Sequence, residues 1–182
     1  MSVANAEELR SVLVEREALG RCLARHAFGM RSWVELFGRT LGRFERPLDL
    51  AVAARLVRDN AGHMLLFRSR AIALGVDPDE YRAPPAGAAI YERLEGLTDS
   101  RDVTAFALGS LDHFGELLHI YRSVADDGTA TAIDQVLADV EEHRALLGEL
   151  LGGRGGVLRA EAQNLYRARE LVEVEGYRRS AS

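Results

Sequence analysis

LDLAVAARLVRDNAGHMLLFRSRAIALGV, residues 48–76, decides how the chain reads. Leu56, Asn60, His63, Phe67 and Leu74 recur at spacings of three, four and seven, which sets them on one stripe of a helix. Leu and Phe belong on a buried stripe. Asn60 and His63 are polar and lie inside it. Burying such groups without partners costs about 1–3 kcal/mol each. The stretch therefore predicts either satisfied core polar groups or a ligand site.

Upstream, Gly42 and Pro47 mark a break. Before them residues 6–42 read as a first long helix, with Val12, Leu19, His26, Met30, Trp33 and Phe37 on one side. Gly75 stops the second helix. Residues 76–101 carry all the remaining prolines, with a short helix predicted over 86–96. That segment is long for a loop between packed neighbours and suits a crossover from one end of a bundle to the other. A third helix follows over 101–125. Its stripe is Val103, Phe106, Ser110, Phe114, Leu117, Tyr121 and Val124, with His113 on the flank. Asp112, Glu116 and His119 point away from it on ideal geometry. The turn at 125–129 is short, so the fourth helix, 130–151, is predicted antiparallel to the third. Ile133, Val136, Val140, His143, Leu147 and Leu150 form its stripe. GGRGG at 152–156 is a break and not a phosphate loop, since no strand precedes it. A fifth amphipathic helix spans 157–175, with Leu158, Leu165, Leu171 and Val172 inward. No strand-like alternation occurs, so the predicted class is all-α. The expected organisation is one domain: a four-helix bundle over 1–151, then a glycine-rich link and C-terminal helix over 152–182.

Composition bounds the function. The chain has 182 residues, 47% hydrophobic and 28% charged, with a formal net charge of −5. No basic stripe appears, which argues against a nucleic-acid partner. The single cysteine, Cys22, gives no disulfide framework and no zinc knuckle. No apolar run approaches the ~18 residues that a membrane span needs, and the N-terminus lacks a signal-peptide core, so a cytoplasmic location is expected. All 23 basic residues are Arg, which removes lysine Schiff-base chemistry.

Each of the four long helices carries a histidine on or beside its stripe: His26, His63, His113 and His143. Residues level across an antiparallel hairpin have numbers that add to a constant, about 92 for the first hairpin and about 255 for the second. His26 and His63 add to 89, and His113 and His143 to 256. At ~1.5 Å per residue each pair is level to within a few ångströms. Two helices also share the element D-x-x-x-H, Asp59 to His63 and Asp139 to His143. A carboxylate and an imidazole at i, i+4 share a helix face. They can reach one metal ion, or the carboxylate can fix the imidazole tautomer. Four independent structural histidines are the competing reading.

At helix two the chain resembles the ferritin-like superfamily, the di-iron carboxylate helical bundles related to rubrerythrin. That family carries Glu-x-x-His, a helical run, then Leu-Gly-x-Asp-Pro. Here Asn60-Ala61-Gly62-His63 is followed by Leu74-Gly75-Val76-Asp77-Pro78. The long crossover and a second histidine 80 residues on also match, over roughly residues 8–151. The resemblance implies an up-down four-helix bundle with a long crossover between helices two and three. It also implies iron, or another divalent metal, held by His26, His63 and His143. Departures from the pattern are plain. Asn60 and Val140 stand where the family has Glu. The first helix offers His26 and no acid in the expected window, and the third offers only Asp112. A four-carboxylate di-iron site is therefore absent from the sequence, and Asp59, Asp139 and Glu142 are the nearest substitutes.

Three functions follow as expectations. One is a non-haem metal oxidoreductase or oxygenase acting on a small molecule, with His26, His63, His143, Asn60, Asp59, Asp139 and Glu142 around the metal and His113 and Asp139 in catalytic roles. Another is a metal-free enzyme of the isomerase or dehydratase type, whose histidines move protons. The last is a binding or assembly protein, with the fifth helix or the first mediating a homodimer or partner contact.

Overall fold

The computed structural model describes residues 6–82 and 86–179. They form seven α-helices and no strand, which agrees with the all-α expectation. The helices are α1 (Ala6–Leu13), α2 (Arg16–Thr40), α3 (Pro47–Ala73), α4 (Ala86–Glu95), α5 (Ser100–Arg122), α6 (Asp127–Leu151) and α7 (Gly156–Arg179). None of the described helices is long and apolar enough to cross a membrane.

The predicted first helix is two. It breaks at Val14 and Glu15, and neither residue is a breaker. The reason is tertiary: the turn lets Leu9 and Leu13 enter the same apolar cluster as Leu19, Leu23 and Leu118. Elsewhere local chemistry sets the ends. Pro47 occupies the first turn of α3, where its missing N–H costs nothing. Gly75 at φ 90° ends that helix. The Val76 N–H bonds the Ala71 carbonyl and the Gly75 N–H that of Ile72, a Schellman closure. Asp99 caps α5 through the Arg101 N–H, and Asp126 caps α6 through the Thr129 N–H.

α2 and α3 pack as one hairpin, α5 and α6 as another, and α3 also packs on α6. α7 lies along the outer face of α5. Gly155 lies against Ala105 and Gly109 against Arg159, while His113 faces Tyr166, so α7 runs parallel to α5. The approach is close. A Cβ on Gly109 would stand 2.2 Å from the Arg159 carbonyl oxygen and 2.9 Å from the Ala162 Cβ. α5 is thus covered on both sides, and every residue from Val103 to Ser110 is buried.

The interior has two apolar clusters. One joins Leu9, Leu23, Phe67, Leu118 and Ile133; the other joins Phe37, Leu56, Phe106, Leu147 and Ala162. On every long helix the polar candidates fall between them: His26 on α2 beside the first cluster, Asp59, Asn60 and His63 on α3, Asp112 and His113 on α5, His143 on α6. A polar layer therefore crosses the middle of the molecule.

Candidate functional site

The layer divides into two groups, and the division is not the one that helix height suggests. Asp112 meets Arg144 and Arg122 meets Asp134. Both pairs of numbers add to 256, so His113 and His143 are level as expected. They nevertheless face different ways. His143 turns toward α3 and His113 toward α7. Height is set by hairpin length, but direction is set by the helix phase.

Between α3 and α6 the two D-x-x-x-H elements pair crosswise. His63 Nε2 is 2.8 Å from Asp139 Oδ2, and His143 Nε2 is 2.9 Å from Asp59 Oδ2. Both pairs of numbers add to 202, as antiparallel helices related by a local two-fold require. A carboxylate only accepts, so each imidazole donates from Nε2–H. Asp59 also accepts from Arg55 and Arg58. Burial pushes the Asp59 carboxyl up, but the bonds from Arg58 and His143 outweigh it and hold it below its ordinary value. For His143 burial dominates over the Asp59 bond, and its pKa is lowered. Glu142 lies outside this group, exposed, with both oxygens on Arg55. Asn60 is satisfied on its own helix, donating to the Leu56 carbonyl at 2.8 Å.

Among the described residues no group of three or more His, Cys, Asp or Glu side chains is placed to hold a metal ion. In each Asp–His pair the imidazole Nε2–H already points at an oxygen. His26, expected to complete the set, is on α2 with its Nε2 turned to Tyr121 and Arg25.

The second group lies along a cavity of ≈ 690 Å³ between α2 and α5, flanked by α3, α4 and α7 and open to solvent on one side, with Asn60 of α3 on its wall. That volume lies in the range of small-molecule pockets. His26 and His113 line it, with Trp33, Phe114, Tyr166 and Arg169. His26 Nε2 is 2.7 Å from an Arg25 Nη and 2.8 Å from the Tyr121 hydroxyl. A guanidinium only donates, so Nε2 is an acceptor and the ring proton is on Nδ1. Burial first, then the charges of Arg25 and Arg169, holds His26 well below its ordinary value, in agreement with a neutral ring. Burial likewise keeps Tyr121 protonated. His113 Nε2 stands 3.2 Å from Glu170 Oε2. Glu170 is 4% exposed, and neither of its oxygens has hydrogen-bond geometry with any described group. Trp33 donates from Nε1 to the Tyr166 hydroxyl at 2.9 Å.

Asp112 corrects the expectation that it points outward. It is 6% exposed and accepts from Arg144, Arg159 and Gln163. It does face away from α2 and α3, but α7 covers that face. His119 is exposed, as expected. The site residues that sequence reasoning missed are Arg25, Tyr121, Tyr166, Arg169 and Glu170. Tyr121 and Trp33 both fall on apolar stripes of the sequence, where a pocket role is not separable from core packing. Tyr166 and Glu170, four apart like Leu158 and Ala162 before them, trace the inward face of α7, a signal open to a reading of that helix with a polar stripe.

No family model, characterised protein or solved structure matches this chain.

Proposed function

We propose that the chain is a ferritin-like helical bundle that binds a small molecule in the α2–α5 cavity and moves protons on it without a metal, in the manner of an isomerase or dehydratase. In this reading α2, α3, α5 and α6 are the four bundle helices, the stretch holding α4 is the long crossover, and α7 is the added helix. The observation that carries it is the cavity itself, with a neutral imidazole on its wall. The His26 ring is held in its neutral form by burial and by the nearby guanidinium charges, with Nε2 accepting from Arg25 and Tyr121; a ligand that takes over those bonds would meet a proton acceptor. Apolar walls raise the strength of each polar contact inside. The metal-dependent oxidoreductase reading has less support, because no set of three donors converges among the described residues. Assembly through α7 has less support too, since α7 is committed to α5.

Gly29 offers the test. It lines the cavity, and a Cβ there meets nothing within 4 Å. Gly29→Phe therefore fills space at little backbone cost. A thermal-shift screen of small polar and aromatic metabolites, run with chelator present, is expected to give ligands that stabilise the wild type and not Gly29→Phe. Turnover of such a ligand is expected to survive chelator and to fall at least about a hundredfold in His26→Gln. Turnover lost with chelator and restored by one metal would remove this reading.

A further inference from the structure

The charged lining of the cavity is unequal along its length. From His26 to Leu36 the α2 wall spans about 15 Å. α5 runs antiparallel beside it, with Leu117 near the His26 end and Ala107 near the Leu36 end. At the far end the buried wall is Leu36, Leu56, Ile90, Leu94 and Ala107, with Glu35 and Glu92 on the exposed rim beside it. At the near end the charged side chains on the wall are Arg25 and Arg169. Arg25 is 5% exposed and Arg169 half-buried. Arg169 sits one turn beyond Tyr166 on α7, which is antiparallel to α2, and so falls toward the His26 end. The other charged liners are Arg31 and Glu35, joined to each other at 3.0 Å, and exposed Glu92. The buried carboxylate Glu170 is directed at His113 and is not on the cavity wall.

From this polarity we propose that the ligand is an elongated monoanion, a carboxylate with an apolar alkyl or aryl body, bound with its anionic head against Arg169 and Arg25 and its body along the Leu36–Leu94 end. The assignment rests on the small-molecule reading above and specifies its substrate class. Arg25 donates to His26 and Tyr121, and Arg169 to the Tyr81 hydroxyl; a guanidinium carries its charge and five N–H donors in a fixed fork, which suits a carboxylate more than a hydroxyl and repels an ammonium.

Trp33 lines the cavity and is the only tryptophan in the chain, so its emission reports occupancy directly. The experiment titrates the full chain with octanoate, 1-octanol and octylamine near neutral pH. The three have one body and three heads. Octanoate is expected to shift Trp33 emission with a Kd about tenfold below that of octanol, with octylamine weakest. Arg169→Gln is expected to bring octanoate to within about threefold of octanol and to leave octanol unchanged. Equal affinity for octanoate and octanol in the wild type would overturn the anion assignment and leave the cavity reading standing. No response to any of the three probes, or responses that Gly29→Phe leaves intact, would overturn both.

Discussion

His143 and His63 face aspartates on opposite helices through the same geometry, yet the two pairs lie at different depths. The Asp59 side chain is 12% exposed and that of Asp139 is 34% exposed. Water can replace a bond lost at Asp139 but not one lost at Asp59. Asp59→Asn is therefore expected to cost about 1–3 kcal/mol and Asp139→Asn less than about 1. Urea denaturation of both variants checks the order, and equal costs would mean that depth does not govern the pairs. His26 gives a second expectation. Its folded pKa is depressed below 6.5, through burial and then the nearby Arg25, Arg169 and His113. The unfolded chain thus takes up a proton first as the pH falls. The stabilisation of the neutral ring is complete above about pH 6.5 and is lost as the pH drops below it toward the folded pKa. His26→Gln keeps an acceptor and does not titrate. Its stability is expected to fall less steeply than that of the wild type between about pH 7 and pH 5. Parallel slopes in urea melts at several pH values would contradict this.

At the scale of elements, α7 is the piece that changes most between sequence and structure. The chain's periodicity located six of the seven helices, including the short α4, because stripes, prolines and glycines are local signals. The break at Val14 was not legible, since it is dictated by where Leu9 and Leu13 find their partners. Nor was the burial of Asp112. An outward acid on α5 is indistinguishable from a solvated one until Arg159 and Gln163 arrive from α7. The histidines were found because polar residues on apolar stripes are conspicuous, whereas Glu170 was missed because α7 mixes polar and apolar residues on its inner face. Contact between α5 and α7 depends on Gly109, where backbone meets backbone. Gly109→Ala places a methyl 2.2 Å from the Arg159 carbonyl oxygen. Helix propensity favours Ala by about 1 kcal/mol, but the clash requires α7 to shift and disturbs Asp112, Tyr166 and Glu170 together. The expected outcome is a net loss of about 2–4 kcal/mol and a weaker Trp33 response to ligand. A variant as stable as the wild type would show that α7 is not held closely.

For the whole molecule, the polar layer between two apolar clusters poses the question that a metal would ordinarily answer. Four buried or half-buried imidazoles in one layer must have partners, or the layer would cost more than the clusters on either side return. Here His63, His143 and His26 have hydrogen-bonding partners in Asp139, Asp59 and the Tyr121–Arg25 pair, and His113 stands 3.2 Å from Glu170. A divalent cation entering between α3 and α6 would have to displace two Nε2–H···carboxylate bonds. Among the described residues it would then find two imidazoles and two carboxylates arranged as separate hydrogen-bonded pairs, with no three of them placed to hold one ion. The nearest further acid, Glu142, is engaged by Arg55. Protein purified without chelator and titrated anaerobically with Fe(II), Zn(II) or Co(II) is accordingly expected to show no near-stoichiometric binding that depends on His63, and its melting temperature is expected to be the same with and without chelator. His63→Ala should lower stability in both conditions alike, by about 1–3 kcal/mol for the buried ring it removes. Stoichiometric Co(II) absorption that vanishes in His63→Ala would reverse the conclusion. It would mean that the crosswise pairs open to admit a metal, and the layer would then be a metal centre with α3 and α6 as its two walls.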